Sequence, residues 1–471
     1  MSLHLNKPGL NGSIFALHIA PCSEVPRIHS TLSPVLFDLM LYYSTNDSSM
    51  RASLRQALFQ GLPADNGLFM PEHIPTLPNN FIQSLPDLSF PELSFHIARA
   101  FLQEDIPSAS LRSIVEAAIN FPAPVHWLND TCGVLELFHG PTLAFKDFGA
   151  RFMAGLMGYF TQQEDKETTI LVATSGDTGG AVAAGFLNTP GIRVVILYPS
   201  GKVSDLQEKQ LTTLGANISA LEVKGTFDDC QSLVKQAFLD QDLTAIKRLS
   251  SANSINIARL IPQSFYYFEA YKQIPGPLAQ RIVFTVPSGN FGNLTAGLLA
   301  KRMGLPVHRF LAATNANDVV PQYLHSGIFS PRRSVSTLSN AMDVGNPSNF
   351  ARMMDLYGST WNNIRHDISG YCYTDEETAQ NMVYIRDKYA YTADPHTSVG
   401  LLADRAHRDK ESFTGIVLST AHPAKFIKET SEILKTAVSV PDRLARLAHL
   451  PKHSVQIAAD YAQFKAWLMD H

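Results

Sequence analysis

The chain has 471 residues, of which 45% are hydrophobic, with a formal net charge of -4 at pH 7 and 4 cysteines. Its length indicates about three domains with sizeable buried cores, and its near-neutral charge gives no general electrostatic reason to bind nucleic acid or an anionic membrane. Because the cysteines form neither a CxxC pair nor a metal-like cluster, and no apolar run approaches the ~18 residues of a membrane span, we expect a cytoplasmic protein without a metal site.

The first part of the chain changes character at Met40. Residues 1–39 show no sustained periodicity and carry scattered prolines, so we expect a poorly structured N-terminal extension there. Met40 precedes the first strand-like run, 41–45. Helical patterns then cover 53–60, 90–101 and 111–121. These patterns predict a mostly helical N-terminal domain over residues 40–125.

Beyond residue 146, apolar and β-branched runs alternate with helical patterns. The strand-like runs are 169–173, 194–197, 218–223, 282–286, 310–313 and 415–418. The helical patterns are 178–187, 206–214, 230–239, 255–271 and 294–303. Continuous apolar strands separated by helices are typical of parallel sheets buried on both faces, so we predict an α/β fold. Binding sites in such folds lie at the carboxyl ends of the strands.

One lysine has apolar neighbours in the sequence. Residues 137–149 read Leu-Phe-His-Gly-Pro-Thr-Leu-Ala-Phe-Lys-Asp-Phe-Gly. The Gly-Pro turn and the capping residue Thr142 predict a helix with Lys146 about one turn inside it, between Phe145 and Phe148. Desolvation lowers the pKa of such a lysine and frees its lone pair for carbonyl chemistry, such as a Schiff base with pyridoxal phosphate. The alternative is a surface lysine whose ammonium reaches water.

Three loops rich in Gly, Ser, Thr and Asn follow predicted strands. Loop 174–180, Thr-Ser-Gly-Asp-Thr-Gly-Gly, opens a helix whose N–H groups suit a carboxylate or phosphate. Loop 287–293, Pro-Ser-Gly-Asn-Phe-Gly-Asn, does the same, and its glycines allow close backbone approach to a phosphate. Loop 419–423, Ser-Thr-Ala-His-Pro, offers a hydroxyl to a ring nitrogen or polar edge. Each loop is also consistent with a structural turn, and none is GxGxxG or GxxxxGKS/T, which argues against a dinucleotide or P-loop site.

Taken together, these motifs resemble those of one enzyme family. Residues 137–148 closely resemble the cofactor-lysine motif of threonine synthases. The other loops, at 174–179, 288–293 and 419–422, resemble that family's further signatures in the same order. The resemblance runs from about residue 40 to about residue 425 and is strongest to the bacterial and fungal branch, which has a helical N-terminal domain.

The resemblance implies a fold-type-II pyridoxal-phosphate enzyme. It would convert the small molecule O-phospho-L-homoserine and water into L-threonine and phosphate, by γ-elimination and β-addition of water, as the last step of threonine biosynthesis. On this basis we expect a large cofactor-binding domain over 126–150 and 245–430, a small α/β domain over 151–244 and a C-terminal segment over 431–471. We expect a monomer or small homo-oligomer with no nucleic-acid or membrane partner.

The resemblance also implies roles for particular residues. Lys146 would hold pyridoxal 5'-phosphate covalently and then move protons at the substrate Cα and Cβ, while Thr420 would hydrogen-bond the pyridine nitrogen. The cofactor would be bound by Ser288, Gly289, Asn290, Phe291, Gly292 and Asn293, with its phosphate at Gly289, Asn290, Phe291 and Asn293. The substrate would be bound by Ser175, Gly176, Asp177 and Thr178, with its carboxylate at Ser175 and Thr178, and its phosphate would be bound by Ser254 and Arg259. A surface ion pair is the alternative for Arg259, in which case Lys202 or Lys425 would meet the phosphate.

Two other functions are compatible with the same motifs. Another fold-type-II lyase acting on serine- or threonine-like substrates would need the same lysine and loops, so the choice of substrate depends on the second anion site. An inactive cofactor-binding homologue is also possible, although the intact Lys146 and both anion loops weigh against it.

Overall fold

The computed structural model describes residues 39–162 and 166–471. The prediction of a poorly structured extension over residues 1–39 therefore falls, apart from Leu39, outside the described residues. Residues 39–471 form one unit by their contacts. Within the described ranges, no helix is both long and apolar enough to cross a membrane.

The secondary structure follows the alternation expected from the sequence. The strands are β1 (Tyr42–Ser44), β2 (Phe69–Pro71), β3 (Val125–Asn129), β4 (Cys132–Glu136), β5 (Thr168–Ala173), β6 (Ile192–Pro199), β7 (Ile218–Lys224), β8 (Arg248–Ser251), β9 (Ile282–Pro287), β10 (Arg309–Thr314), β11 (Ile368–Cys372), β12 (Thr414–Ser419) and β13 (Val455–Ala458). The first helices are α1 (Leu54–Gln60), α2 (Asn79–Ser84), α3 (Phe90–Leu102), α4 (Ser108–Ala118), α5 (Lys146–Thr161), α6 (Asp177–Phe186), α7 (Asp205–Thr212), α8 (Phe227–Leu239), α9 (Gln241–Ile246) and α10 (Ile257–Lys272). The later helices are α11 (Gly292–Arg302), α12 (Val319–Ser326), α13 (Phe350–Leu356), α14 (Trp361–Asp367), α15 (Asp375–Tyr389), α16 (Pro395–Arg408), α17 (Ile427–Leu434), α18 (Asp442–Ala445) and α19 (Tyr461–Asp470).

The larger sheet brings remote strands side by side. Its 6 strands lie in the order β11-β10-β9-β12-β4-β3. All neighbours are parallel except the edge pair β3 and β4, which is antiparallel. The central strands β9 and β12 are buried along their whole length, which explains their continuous apolar sequences. Because β12 lies between β9 and β4, the loops that leave the carboxyl ends of these strands meet at one edge of the sheet.

The smaller sheet includes the end of the chain. Its 5 parallel strands lie in the order β13-β7-β6-β5-β8. Ile457 of β13 pairs with Val223 of β7, and Phe464 and Leu468 of α19 are buried in the apolar cluster beneath. Parallel sheets flanked by helices are thus confirmed for both sheets, with β3 as the antiparallel exception. The domain boundaries expected from the sequence stay a prediction.

The N-terminal region is mostly helical, as predicted. It contains α1 to α4 and the antiparallel pair β1 and β2. Ser53 and Gln56 form a capping box at the start of α1, with the Ser53 N–H donating to Gln56 Oε1 at 2.8 Å. Leu93 and Phe101 of α3 are buried in the same apolar core as Phe148 of α5. The helical region therefore packs on the body that carries Lys146.

Asp105, which follows α3, gives a pH-dependent prediction. Burial, with a smaller contribution from Glu104, raises the pKa of Asp105 to about 6, and its Oδ2 has no hydrogen-bond partner in the described residues. The folded state therefore binds this proton more tightly than the unfolded chain, so stability falls as the pH rises from about 4 through 6. We expect Asp105→Asn to raise Tm by a margin that is larger at pH 8 than at pH 5, and the gain at pH 8 corresponds to about 1–2 kcal/mol because the partial exposure of Asp105 to solvent screens its charge. Thermal unfolding at the two pH values measures this, with the exposed Asp87→Asn as the control, and an equal gain at both would contradict it.

Candidate active site

The lysine expected to carry the chemistry is the first residue of a helix rather than one turn inside it. α5 begins at Lys146, with Phe145 in the N-cap position and no side-chain cap, so the predicted capping role of Thr142 is wrong. Thr142 instead donates its backbone N–H and its hydroxyl to the carboxylate of Asp147, at 2.8 and 2.6 Å. Leu143 has a φ of 61°, a left-handed conformation that cannot continue a right-handed helix. The chain therefore makes a turn first, and the helix starts later than the capping pattern suggests.

This turn is attached to the loop that follows β12. The N–H of Phe145 donates to the carbonyl of Thr420 at 2.9 Å, and the N–H of His422 donates to the carbonyl of Leu143 at 3.0 Å. Both loops leave the carboxyl ends of neighbouring strands, which explains their contact. The fold thus brings Thr420 to Lys146.

Lys146 is largely buried, between an aromatic ring and charged side chains. Its side chain is 16% exposed, with Nζ 3.4 Å from Asp177 Oδ2 and 5.3 Å from the centre of the Phe145 ring. Burial lowers the pKa of Lys146, Asp177 opposes this shift, and the charges of Lys425 and Arg259 add to it. The direction is the one expected from the apolar neighbours in the sequence, and it makes the neutral, nucleophilic amine easier to reach.

Asp177 is the anion of this site. It is the first residue of α6 and is buried. Its Oδ1 accepts a hydrogen bond from Gln207 Nε2 at 2.8 Å and pairs with Lys425 Nζ at 2.8 Å. Burial alone would raise the pKa of Asp177, but Lys425 and Lys146 outweigh burial and hold that pKa well below its usual range. Its predicted contact with substrate stays a prediction.

The hydroxyl of Thr174 fixes the backbone of the 174–180 loop through hydrogen bonds. Thr174 Oγ1 accepts from the N–H groups of Gly176 and Gly179, at 3.0 and 2.9 Å. Gly176 has a φ of 135°, and a Cβ there would lie 2.6 Å from the side chain of Gln207, so the position requires glycine. Ser175 and Thr178 are partly exposed residues, and their hydroxyls make no hydrogen bond within the described residues. They are thus available for the substrate carboxylate that we predicted there.

The loop after β9 leads directly into the N-terminus of α11. Phe291, with a φ of 59°, is the N-cap residue, and Gly292 is the first residue of the helix. A Cβ on Gly289 would lie 2.7 Å from the Cα of Met342, so this position also requires glycine. Ser288 is buried and donates its hydroxyl to the carbonyl of Val286 at 2.9 Å. The unpaired N–H groups in the first turn of a helix favour a bound phosphate.

Asn293 adds a buried donor to this helix N-terminus. Its Oδ1 accepts from the hydroxyls of Tyr266 and Tyr267, at 2.6 and 2.9 Å. These bonds fix the amide, and its Nδ2 has no partner among the described residues. A buried donor without a partner costs about 1–3 kcal/mol, so its retention here is consistent with a bound anion.

The donor set fits pyridoxal 5'-phosphate. Lys146 would supply an amine of lowered pKa for its aldehyde, and the start of α11 with Asn293 would supply donors for its phosphate. Thr420 is buried, and its hydroxyl makes no hydrogen bond in the part of the chain that the structure describes. That hydroxyl can meet the ring nitrogen, where, unlike a carboxylate, it would not hold the ring protonated by ion pairing.

We expect Asn293→Ala to weaken the binding of pyridoxal 5'-phosphate to the apoprotein at least about tenfold, because a hydrogen bond to a charged group contributes about 1.5–3 kcal/mol. Equilibrium dialysis measures the dissociation constant. Tyr267→Phe is the matched control, since it removes one bond to the amide oxygen and leaves the amide in place. An unchanged dissociation constant for Asn293→Ala would exclude this side chain as a ligand of the cofactor phosphate.

Arg259 lies inside the protein, so the surface ion pair considered as its alternative is wrong. It is 3% exposed, and no carboxylate of the described residues forms an ion pair with it. It donates to the carbonyl of Ala252, while its Nε has no partner in those residues. Burial lowers the pKa of Arg259 to about 10, which still leaves it charged at neutral pH. Ser254 Oγ accepts from Asn290 Nδ2, which connects Ser254, one of the two residues predicted for the substrate phosphate, with the cofactor loop.

Sequence reasoning missed a second buried guanidinium, Arg352 of α13. It is fully buried and donates to the carbonyls of Phe69 and Ile255, at 3.0 and 2.6 Å, and to Asn349 Oδ1 at 2.7 Å. It also donates to the carbonyl of Ser254 at 3.3 Å. The side chain thus ties β2 to the segment that carries Ser254. Nothing in the surrounding sequence distinguishes this arginine from one on a helix surface.

The two lysines proposed as alternative phosphate ligands differ in position. Lys202 is exposed, whereas Lys425 is 1% exposed and lies in the cluster around Asp177. The pairing of Lys425 with Asp177 was also missed. Its only sequence signal is a lysine in the apolar run that follows Thr420, which is too weak to identify a partner.

Models of known families match most of the chain. A model of the threonine synthase N terminus matches residues 41–119. A model of pyridoxal-phosphate dependent enzymes matches residues 128–418, and a model of the threonine synthase C-terminal region matches residues 397–468.

Individual threonine synthases are also similar to this chain over most of its length. The threonine synthase of Escherichia coli (strain K12) is 46% identical over 432 residues, which cover 92% of this chain and 100% of that protein. A crystal structure of threonine synthase from Escherichia coli matches with a TM-score of 0.85 at 47% identity and covers 92% of this chain and 100% of that one. A crystal structure of PLP-bound threonine synthase from Brucella melitensis matches with a TM-score of 0.86 at 34% identity, over 92% of this chain and 99% of that one.

Proposed function

The chain belongs to the threonine synthase family, and on that premise we propose that it converts O-phospho-L-homoserine and water into L-threonine and phosphate. The cofactor is pyridoxal 5'-phosphate. The observation that carries the choice of substrate is Arg259, a buried cation without a carboxylate partner in the described residues. It lies near enough to Lys146 to lower the pKa of that amine. A substrate with its own phosphate supplies the missing anion.

The reaction moves protons between neighbouring carbons. The Cγ–O bond breaks and phosphate leaves, Cβ loses one proton and gains the hydroxyl of water, and Cγ gains a proton to become the methyl group of threonine. The remaining proton of water goes to the released phosphate. When bound, pyridoxal 5'-phosphate supplies the electron sink that makes the Cα and Cβ protons acidic. Lys146 takes and returns these protons, a task that suits a lysine of lowered pKa.

The other residues hold the substrate. Ser175 and Thr178 offer free hydroxyls at the start of α6 to its carboxylate. Ser254 and Arg259 hold its phosphate, and the guanidinium fork matches phosphate oxygens in two hydrogen bonds. This second anion site is what separates the proposed reaction from eliminations on serine- or threonine-like substrates, which carry no phosphate.

The direct test uses purified protein loaded with pyridoxal 5'-phosphate. We expect phosphate and threonine to be released in equal amounts from O-phospho-L-homoserine. Serine and threonine serve as control substrates, and 2-oxo acid formation from them without threonine formation from O-phospho-L-homoserine would favour the lyase alternative. A cofactor-loaded protein inactive on all three would favour a non-catalytic homologue.

We propose the cytoplasm as the site of the reaction. The support is that Cys132, Cys230 and Cys372 are free thiols, which suits a reducing compartment.

A further inference from the structure

The two oxygens of the Asp177 carboxylate contact different lysines. Its Oδ1 is 2.8 Å from Lys425 Nζ, whereas its Oδ2 is 3.4 Å from Lys146 Nζ. Gln207 adds a hydrogen bond to the Oδ1 side at 2.8 Å. The tighter contacts are thus on the side away from the reactive amine. Lys425 is therefore the closer cation, and the electrostatic attraction between Asp177 and Lys146 is the weaker of the two.

Lys425 is a buried part of the site. It is 1% exposed and comes from the short 3-10 helix Pro423–Phe426, which follows the Thr420 loop. Its Nζ also donates to the carbonyl of Thr142 at 2.9 Å, in the turn before Lys146. One ammonium therefore joins the loops of Lys146 and Thr420 to Asp177 at the start of α6. A buried ammonium in this position needs both acceptors, because burial without a partner is costly.

The charges around Lys146 act in opposite directions. Among the described residues, Asp177 favours its ammonium form, while Lys425 and Arg259 favour its neutral form. If Lys425 lost its charge, Lys146 would become the main cation facing Asp177. The pair would then resemble an ordinary buried salt bridge, in which the lysine keeps its proton.

We propose that Lys425 is a positioning residue that occupies one side of the Asp177 carboxylate and thereby keeps Lys146 available as a neutral amine. This inference deepens the proposed function, because it concerns the lysine on which that function rests. It requires no particular substrate, since it describes how the protein prepares Lys146 for the aldehyde of the cofactor.

The test measures the combination of apoprotein with pyridoxal 5'-phosphate by its visible absorbance, as a function of pH. The midpoint of the rate against pH reports the pKa of Lys146. In Lys425→Met we expect this midpoint to rise by about one pH unit, so that the rate at pH 7 falls about tenfold. In Lys425→Gln, which keeps a donor for Thr142 but removes the charge, we expect the same rise. Lys425→Arg restores the charge and should return the midpoint towards its original value.

Two further variants separate this electrostatic role from a purely structural one. Lys428→Met removes an exposed lysine from the same segment and should leave the midpoint unchanged. Asp177→Asn removes the group that stabilises the ammonium form and should move the midpoint downwards, opposite to the Lys425 variants. Folded Lys425→Met and Lys425→Gln proteins with an unshifted midpoint would overturn the proposal. Because the titration contains no amino-acid substrate, its result is independent of whether O-phospho-L-homoserine is turned over.

Discussion

Replacing Lys146 with alanine is expected to abolish turnover, lowering kcat by at least about 10⁴-fold, which is the upper range for one general acid–base group. The effect is large because we propose two roles for the same amine. In the reaction that we propose, Lys146 anchors the cofactor covalently and moves the protons, so both functions would disappear together. In the described residues, Lys425 is another buried amine near Asp177, but its Nζ is already bound to Asp177 and to the Thr142 carbonyl. It is therefore not positioned to replace Lys146.

The measurement combines kinetics with spectroscopy. The visible absorbance of the lysine-bound cofactor should be absent in Lys146→Ala, while dialysis should still detect cofactor held non-covalently by the loop after β9 and the start of α11. Lys428→Ala is the matched control, because that lysine is exposed and should be dispensable. A Lys146→Ala protein that keeps both the absorbance band and its activity would refute the assignment of this lysine.

Replacing Arg259 is expected to lower kcat/KM for O-phospho-L-homoserine by roughly 10- to 100-fold, from the loss of about 1.5–3 kcal/mol in hydrogen bonds to a charged group. Methionine is the preferred replacement, since the arginine side chain packs on Gly149, where an added Cβ would lie 2.7 Å from Arg259 Nε. Met keeps much of the aliphatic volume and removes the donor fork. If the guanidinium also stabilises phosphate as it leaves, kcat will fall along with kcat/KM.

The controls for Arg259→Met distinguish substrate binding from general damage. The cofactor should stay bound in Arg259→Met, because we propose that other residues hold its phosphate. Arg259→Lys keeps the charge without the fork and should fall between the wild type and Arg259→Met. The exposed Arg333→Met should have no effect. Full kcat/KM in Arg259→Met would mean that the substrate phosphate is held elsewhere.

The sequence predicted most of what depends on local pattern. Strands such as 282–286 and 415–418 are buried on both faces in the structure, and their unbroken apolar character already signals this. The loops after them were recognisable because a strand followed by Gly, Ser and Asn residues and then a helix has a limited set of uses. Their meeting at one edge followed from the general behaviour of parallel sheets.

What the sequence could not predict depends on contacts between remote segments. Thr142 has the chemistry of a helix cap, but the neighbouring turn places it against Asp147, so local propensity was overridden. Arg352 is surrounded by carbonyls from distant parts of the chain, and no pattern near it reports their presence. The ion pairs of Asp177 with Lys146 and Lys425 likewise join three segments that are remote in the sequence, so no local pattern predicts them.

The place of β12 in the larger sheet determines when the site can exist during synthesis. β4, which precedes Lys146, pairs with β12, as shown by Cys132 opposite Gly415. A nascent chain on the ribosome therefore presents Lys146 long before its neighbouring strand has been made, and β4 and β9 are each left with an open edge. Pairing of such remote segments is slow, because the loop between them must close first. The contact between the turn before Lys146 and the Thr420 loop therefore cannot form until synthesis has passed residue 420, and we expect both strand edges to be open to aggregation until then.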